Sequence, residues 1–133
     1  MGELYVRFVV ARVDERSDQK LGVFSALYEL EHAGELAEHE IEWFVSIERW
    51  FDQNLRRPTR FNWSSRPNAP DRAISWLKMS AKVHVSAMRE LVTLLRHKDV
   101  AVEELQTDRP GYVVYEDAFQ VAAIPFERET IRR

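Results

Sequence analysis

The chain contains no cysteine, and this absence excludes more chemistry than any other feature of its composition. Disulfide bonds, cysteine nucleophiles and thiolate-bound metals all need thiols, so none of them is available. The usual motifs of phosphate-binding loops, serine hydrolases and zinc sites are missing as well. Glycine and proline are sparse, with four and five residues among 133. The sequence therefore predicts an ordinary folded chain that carries no cofactor.

Long hydrophobic runs and a large excess of one charge are also missing. The first residues, MGELYVRFVV, lack a positively charged segment, and Arg7 interrupts their apolar run, so we expect no signal peptide. No segment approaches the roughly 20 apolar residues that span a membrane. The net charge of −3 gives no whole-protein attraction to nucleic acid or to an anionic membrane. We therefore predict a cytoplasmic protein with no membrane partner and with nucleic acid disfavoured.

What the chain does contain is typical of a soluble globular domain. Hydrophobic residues make up 45% and charged residues 31% of the sequence, and both shares are ordinary for globular proteins. A chain of 133 residues corresponds to one domain, which buries roughly two thirds of its unfolded surface. We predict a single domain over residues 1–133, of which residues 127–133 form a flexible tail.

The longest periodic stretch lies between residues 74 and 95. Apolar residues recur there every three or four positions, which is the pattern of one helix face. They are Ile74, Leu77, Ala81, Val85, Met88, Val92 and Leu95. We predict a helix that begins at Asn68 or Asp71 and ends near His97. A rod of this length with a wide apolar face would cover most of a small core.

The remaining periodicities predict two more helices and four strands. The helices cover residues 20–32 and 36–55, and the strands cover residues 4–13, 100–107, 112–115 and 119–126. Gly34 is the expected end of the first helix, because glycine adopts the left-handed cap without strain. The sequence Arg109-Pro110-Gly111-Tyr112 is typical of a type II turn, in which the glycine supplies a positive φ.

The element order β-α-α-α-β-β-β separates helices from strands and therefore predicts an α+β fold. We expect a small, mostly antiparallel sheet of four strands, with the three helices packed on one face. Short connections join the last three strands, so we expect these strands to form a meander. The pairing of the first strand with this meander stays open from the sequence.

His84 is the most unusual residue of the predicted long helix, because it lies within the apolar face. Glu40 and Glu48 fall inside the apolar face of the preceding helix, so a carboxylate could reach the imidazole. Such a pair could act as the general base of a small hydrolase or isomerase. The alternative is a core histidine that bonds to a backbone carbonyl or a hydroxyl. We favour the alternative, because no nucleophile accompanies the histidine at a suitable spacing.

Residues 56–72 form a basic and aromatic segment between two predicted helices. The segment contains five arginines and one aspartate. Guanidinium groups bind phosphate and aromatic rings stack on bases, so Arg60, Trp63 and Arg66 could bind a nucleotide or a nucleic acid. The alternative is that the segment lies beside the acidic residues 29–52, which include eight carboxylates and one arginine. We favour this alternative, because the whole chain is acidic.

Two weaker site candidates remain. Glu35, His39 and Glu42 share one helix face and could hold a divalent metal such as Mn, Fe or Zn. That face is polar and has no second histidine-rich helix to complete the site, so we predict no metal. Tyr115 stands before two acidic residues and could line a pocket at the end of the sheet. Such a pattern is more often a strand aromatic followed by an acidic turn.

No motif assigns an activity, so the leading hypothesis is a non-catalytic binding or interaction module. The second face of the predicted sheet, with Tyr5, Val9 and Ala11 on the first strand, is too apolar for open water. A homodimer would cover this face, and light scattering tests it. The enzyme using His84 and the nucleotide-binding segment remain as alternatives.

Overall fold

A computed structural model describes residues 2–14, 19–57 and 73–126 of the chain. It confirms the α+β class, but within these ranges the sheet has six strands where we predicted four. The elements are β1 (Tyr5–Asp14), β2 (Gln19–Gly22), α1 (Val23–His32), α2 (Glu38–Asn54), β3 (Ile74–Lys78), α3 (Lys82–His97), β4 (Val102–Thr107), β5 (Tyr112–Glu116) and β6 (Gln120–Ile124).

Strand β1 is the centre of an antiparallel sheet. Strand β4 follows one of its edges, from Tyr5 opposite Thr107 to Val10 opposite Val102. The other edge is shared by β3 at its beginning and β2 at its end. Beyond β3 lie β6 and then β5. The predicted meander is therefore correct for the β5–β6 hairpin but wrong for β4, which pairs with β1 instead.

The sheet must be strongly curved, because residues 108–111 connect strands at its opposite edges. In the order β4-β1-β3-β6-β5 these edges are four interstrand spacings apart. In a flat sheet that separation is about 19 Å before any offset along the strands. Five Cα steps from Thr107 to Tyr112 reach at most about 18 Å. Curvature brings the two edges within reach of this short connection.

The predicted long helix is wrong in its first part, because residues 74–78 form strand β3. The apolar positions of this segment fit the period of a helix and also that of a strand. The residue types of Ile74 and Trp76 favour a strand. Backbone partners decide between the two conformations, since β3 pairs with β1 on one side and β6 on the other. The Lys78 N–H donates to the Phe119 carbonyl oxygen at 2.8 Å. The rod that we expected is therefore interrupted before Lys82, where α3 begins.

Residues 19–22 also differ from the prediction, which placed residues 20–22 in the first helix and residue 19 in the loop before it. They form β2 and pair with the second half of β1, with Gly22 opposite Val9 and Lys20 opposite Val13. Helix α1 starts only after Gly22 and ends at His32. The predicted stop is confirmed, because Gly34 has a φ of +74°. The second predicted helix, residues 36–55, is also confirmed as α2.

The core lies between the three helices and one face of the sheet. Fully buried side chains from the helices meet Val6 and Leu77 of the sheet, and they include Leu27, Phe44, Leu91 and Leu95. Burial of each such side chain contributes about 1.5–3 kcal/mol to stability. On the opposite face of the sheet, Val9 and Val121 are also buried. These two residues of the second face are therefore covered within the single chain.

The start of α2 offers a test of helix capping. Ala37 is the residue before the helix, and its N–H donates to Glu40 Oε1 at 2.8 Å. This is half of a capping box, because alanine has no side-chain acceptor to return the bond. We expect Ala37→Ser to stabilise the protein by about 1 kcal/mol in urea unfolding. The control is Ala33→Ser at the C-terminal end of α1, and an equal gain there would contradict the capping explanation.

Candidate functional site

His84 caps the end of a neighbouring helix. It lies in the first turn of α3 and is only 5% exposed. Its Nε2 is 2.7 Å from the carbonyl oxygen of Asn54, the last residue of α2. The last carbonyl groups of a helix have no partner within the helix. Because a carbonyl oxygen can only accept, the His84 Nε2–H donates this bond and satisfies the Asn54 carbonyl.

Three aromatic rings surround the imidazole of His84. Trp50 and Phe51 of α2 have ring centres 4.9 Å and 6.1 Å away. Phe119 stacks on the imidazole, with ring centres 4.4 Å apart and planes inclined by 27°. Phe119 itself is 40% exposed. The imidazole therefore occupies one face of Phe119, while solvent reaches the rest of that ring.

The structure does not bring His84 together with either predicted carboxylate. Glu40 lies at the beginning of α2, where its Oε1 is 2.8 Å from Lys98 Nζ. The hydrogen bond from Lys98, aided by the N–H of Ala37, lowers the pKa of Glu40. Asn54 lies about 21 Å further along the same helix. Glu48 forms no hydrogen bond with His84 within the described part of the chain, so the predicted His–Glu base is not assembled there.

Tyr115 belongs to a hydrogen-bond network centred on Asp117, between β5 and β6. One carboxylate oxygen of Asp117 accepts from the N–H groups of Phe119 (2.8 Å) and Gln120 (3.1 Å). The other oxygen accepts from the Tyr115 hydroxyl at 2.7 Å and from Gln120 Nε2 at 3.1 Å. Partial burial alone would raise the pKa of Asp117, but these four bonds outweigh it and lower the pKa. Burial and the bond to Asp117 raise the pKa of Tyr115.

Gln120 connects this hairpin to the segment that follows α2. The side chain is 2% exposed, and its Nε2 donates to the carbonyl oxygen of Arg56 as well as to Asp117. Gln120 was not among the residues predicted from the sequence. The sequence did contain a signal for this role. Gln120 is the only polar residue of strand β6, and a buried amide needs hydrogen-bond partners.

Arg56 and Arg57 line a recess at the C-terminal end of α2. We call this the arginine recess; it has a volume of about 820 Å³ and is lined by residues 52–57, His84 and Phe119. Arg57 is 3.4 Å from Asp52, and both side chains are mostly exposed, so this ion pair is weak. Arg56 forms no ion pair with any residue that the structure describes. The recess therefore combines an exposed guanidinium with an accessible aromatic ring.

A second cavity borders the arginine recess, between the helices and the sheet. We call it the inner cavity; its volume is about 650 Å³, and its wall comes from β1, α1, α2, β3 and α3 together with Gln120. Asp52, Leu55, Arg56 and Arg57 line both spaces. Ala73, where the described chain resumes, also lines the inner cavity. Arg57 and Ala73, the described residues on either side of residues 58–72, therefore both lie at this wall.

Glu35 and His39 line neither of these two spaces. Arg60, Trp63 and Arg66 lie outside the described residues. Within the described ranges, no group of three or more histidine, aspartate or glutamate side chains is placed to hold a metal ion, and this includes Glu35 and His39. No helix in the described part has both the length and the apolar character needed to cross a membrane.

Comparisons with known proteins do not add a functional assignment. No protein-family model matches the chain, and no curated protein or solved structure is significantly similar to it.

Proposed function

We propose that the protein is a non-catalytic binding module and that the arginine recess holds an anion carrying a planar ring, such as a mononucleotide. The observation that carries this proposal is the presence of Arg56, without a described counter-ion, in the same recess as the accessible ring of Phe119. The proposal combines the binding module favoured by the sequence with the nucleotide-binding alternative. It uses Arg56 and Phe119 in place of the residues that the sequence suggested, which were Arg60, Trp63 and Arg66.

The anionic group of the ligand would bind at Arg56 and Arg57. Guanidinium groups present several N–H donors in a plane and bind phosphate and carboxylate through charge-assisted hydrogen bonds. Arg57 is held only weakly by Asp52 across 3.4 Å, so a doubly charged phosphate competes well for it. Such binding weakens as salt is added, because exposed charges are screened.

The ring of the ligand would stack on Phe119. His84 already packs on one face of Phe119 and fixes its orientation, and His84 is in turn held by the Asn54 carbonyl. A ring that is held in place before binding loses little conformational entropy when a ligand stacks on it. Stacking of a base on an aromatic side chain contributes about 1–3 kcal/mol.

The bond between His84 and Asn54 supports a binding role over catalysis. A general base needs a nitrogen with a free lone pair facing the substrate. His84 Nε2 carries its proton toward the Asn54 carbonyl, and the ring is packed among aromatic side chains. The other ring nitrogen, Nδ1, keeps a lone pair, but no carboxylate in the described part of the chain bonds to the ring to orient it as a general base, so we assign His84 a supporting role in the recess.

The test is calorimetric titration of the full chain with adenosine 5′-monophosphate, adenosine and inorganic phosphate. We expect the monophosphate to bind more tightly than either part alone. Arg56→Gln should weaken its binding about tenfold, and Phe119→Leu should weaken it about fivefold or more. Arg49→Gln removes the same charge from an exposed position of α2 outside the recess and serves as the control. Equal losses in the Arg49 and Arg56 variants, or no binding at millimolar ligand, would refute the proposal.

The homodimer and the cytoplasmic location also stay proposals. Val9, which motivated the homodimer, is buried within the single chain and needs no partner copy to cover it. Leu4 and Leu105 remain partly exposed and are the described apolar residues near β1 and on β4 that a second copy could cover. The absence of cysteine is compatible with a reducing compartment.

A further inference from the structure

We propose that the inner cavity is a second binding site, for a small and largely apolar molecule that carries one N–H or O–H donor. The site differs from the arginine recess in most of its wall and in its chemistry, although Asp52, Leu55, Arg56 and Arg57 border both. The proposal rests on the fixed orientation of one buried amide, that of Gln120.

The hydrogen-bond network leaves only one orientation for the Gln120 amide. One end of the amide faces the Arg56 carbonyl oxygen and a carboxylate oxygen of Asp117. Both of these groups can only accept hydrogen bonds, because the lowered pKa of Asp117 keeps its carboxylate ionised at neutral pH. The NH₂ group of Gln120 must therefore face them. Its carbonyl oxygen, Oε1, is then directed away from the network.

Oε1 of Gln120 is an available acceptor in the wall of the inner cavity. No donor within the described part of the chain bonds to it. In that same part, every completely buried side-chain nitrogen or oxygen has a hydrogen-bond partner. Oε1 therefore reaches accessible space even though only 2% of the residue is exposed, and the space that this residue lines is the inner cavity.

The rest of the wall determines the class of ligand. The buried apolar side chains of the wall include Val6, Phe8, Phe51 and Leu77. The charged wall residues are half-buried or exposed; they are Arg7, Glu48, Asp52, Arg56 and Arg57. Of the described wall residues, Gln120 is the only buried polar one. A volume of about 650 Å³ is within the range of small-molecule sites, which are mostly apolar with a few placed polar groups. A ligand without a donor would leave Oε1 desolvated and unpaired, so the site selects against it.

Indole and indene provide the test, because they have the same shape and differ only in that a CH₂ group of indene replaces the N–H group. Titration of the isotope-labelled full chain, followed by NMR, should show indole binding with a dissociation constant of about 1 mM or tighter. The side-chain amide signals of Gln120 should shift with indole. Indene should bind about tenfold more weakly. Equal affinity for the two compounds would overturn the role of Gln120, and no binding of either would overturn the site.

A wall variant tests the location without disturbing the Gln120 network. Ser75 is exposed on β3 and lines the inner cavity, so Ser75→Leu should fill part of it and weaken indole binding at least fivefold. Ser86→Leu is the control, since Ser86 is an exposed residue of α3 that does not line this cavity. Unchanged indole affinity in the Ser75 variant would place the binding elsewhere and refute the proposal. Ser75→Leu should leave binding of adenosine 5′-monophosphate unchanged, because Ser75 does not line the arginine recess, so this test and that of the recess fail independently.

Discussion

Replacement of Gly111 by alanine is expected to destabilise the protein by about 4 kcal/mol or more, which is a large part of the stability of a typical domain. Gly111 immediately precedes the hairpin strand β5 and has a φ of +136°, which side-chain-bearing residues rarely adopt. An added Cβ would also overlap the carbonyl oxygen of Ile124 and lie 2.8 Å from its carbonyl carbon. Both contacts are with the backbone of β6, which cannot move aside without breaking its pairing.

Urea unfolding followed by circular dichroism measures this effect, and Gly34→Ala is the matched control. Gly34 also has a positive φ, of +74°, but no atom lies within 4 Å of the position that a Cβ would take there. Its substitution therefore carries only the conformational penalty, about 1 kcal/mol after the lower entropy of the unfolded alanine chain is included. If the Gly111 variant loses no more stability than the Gly34 variant, the close approach to Ile124 is not what requires glycine.

Asp117→Ala is expected to cost about 3 kcal/mol at neutral pH. The substitution removes the acceptor of four hydrogen bonds, two from backbone N–H groups and two from the side chains of Tyr115 and Gln120. Gln120 is buried, so its amide loses a partner that water cannot easily replace. Tyr115→Phe removes one donor and leaves the carboxylate in place. We expect it to cost only about 1 kcal/mol, and equal losses in the two variants would contradict the central role of Asp117.

The same network predicts how stability depends on pH. The folded-state pKa of Asp117 is lowered, so its contribution is complete above the unfolded-state pKa of about 3.9 and is lost as the pH falls through the lower folded-state value. Asp117→Asn does not titrate. The difference in urea midpoint between parent and Asn variant should therefore be large at about pH 7 and shrink at about pH 2.5. A midpoint difference that is as large at about pH 2.5 as at about pH 7 would contradict the role of the Asp117 charge.

The features that the sequence predicted correctly depend on residues that are close together in the sequence. Helix α2 follows from its apolar periodicity, and the ends of elements at Gly34 and Gly111 follow from the φ angles that only glycine adopts freely. Within the candidate site, the sequence pointed to His84 as a residue that needs a polar partner. It could not name Asn54 as that partner, because the pairing depends on how α2 and α3 pack.

The amino-acid sequence by itself determined the α+β class, helix α2, most of helices α1 and α3, and the glycine positions at which the chain turns. Only the tertiary structure decided that residues 74–78 form a strand, that β4 pairs with β1, and that Gln120 holds Arg56. The physical reason is the same in each case. The hydrogen-bond partners are distant in the chain, so local periodicity fits more than one conformation until β1 and β6 supply the backbone groups that select one.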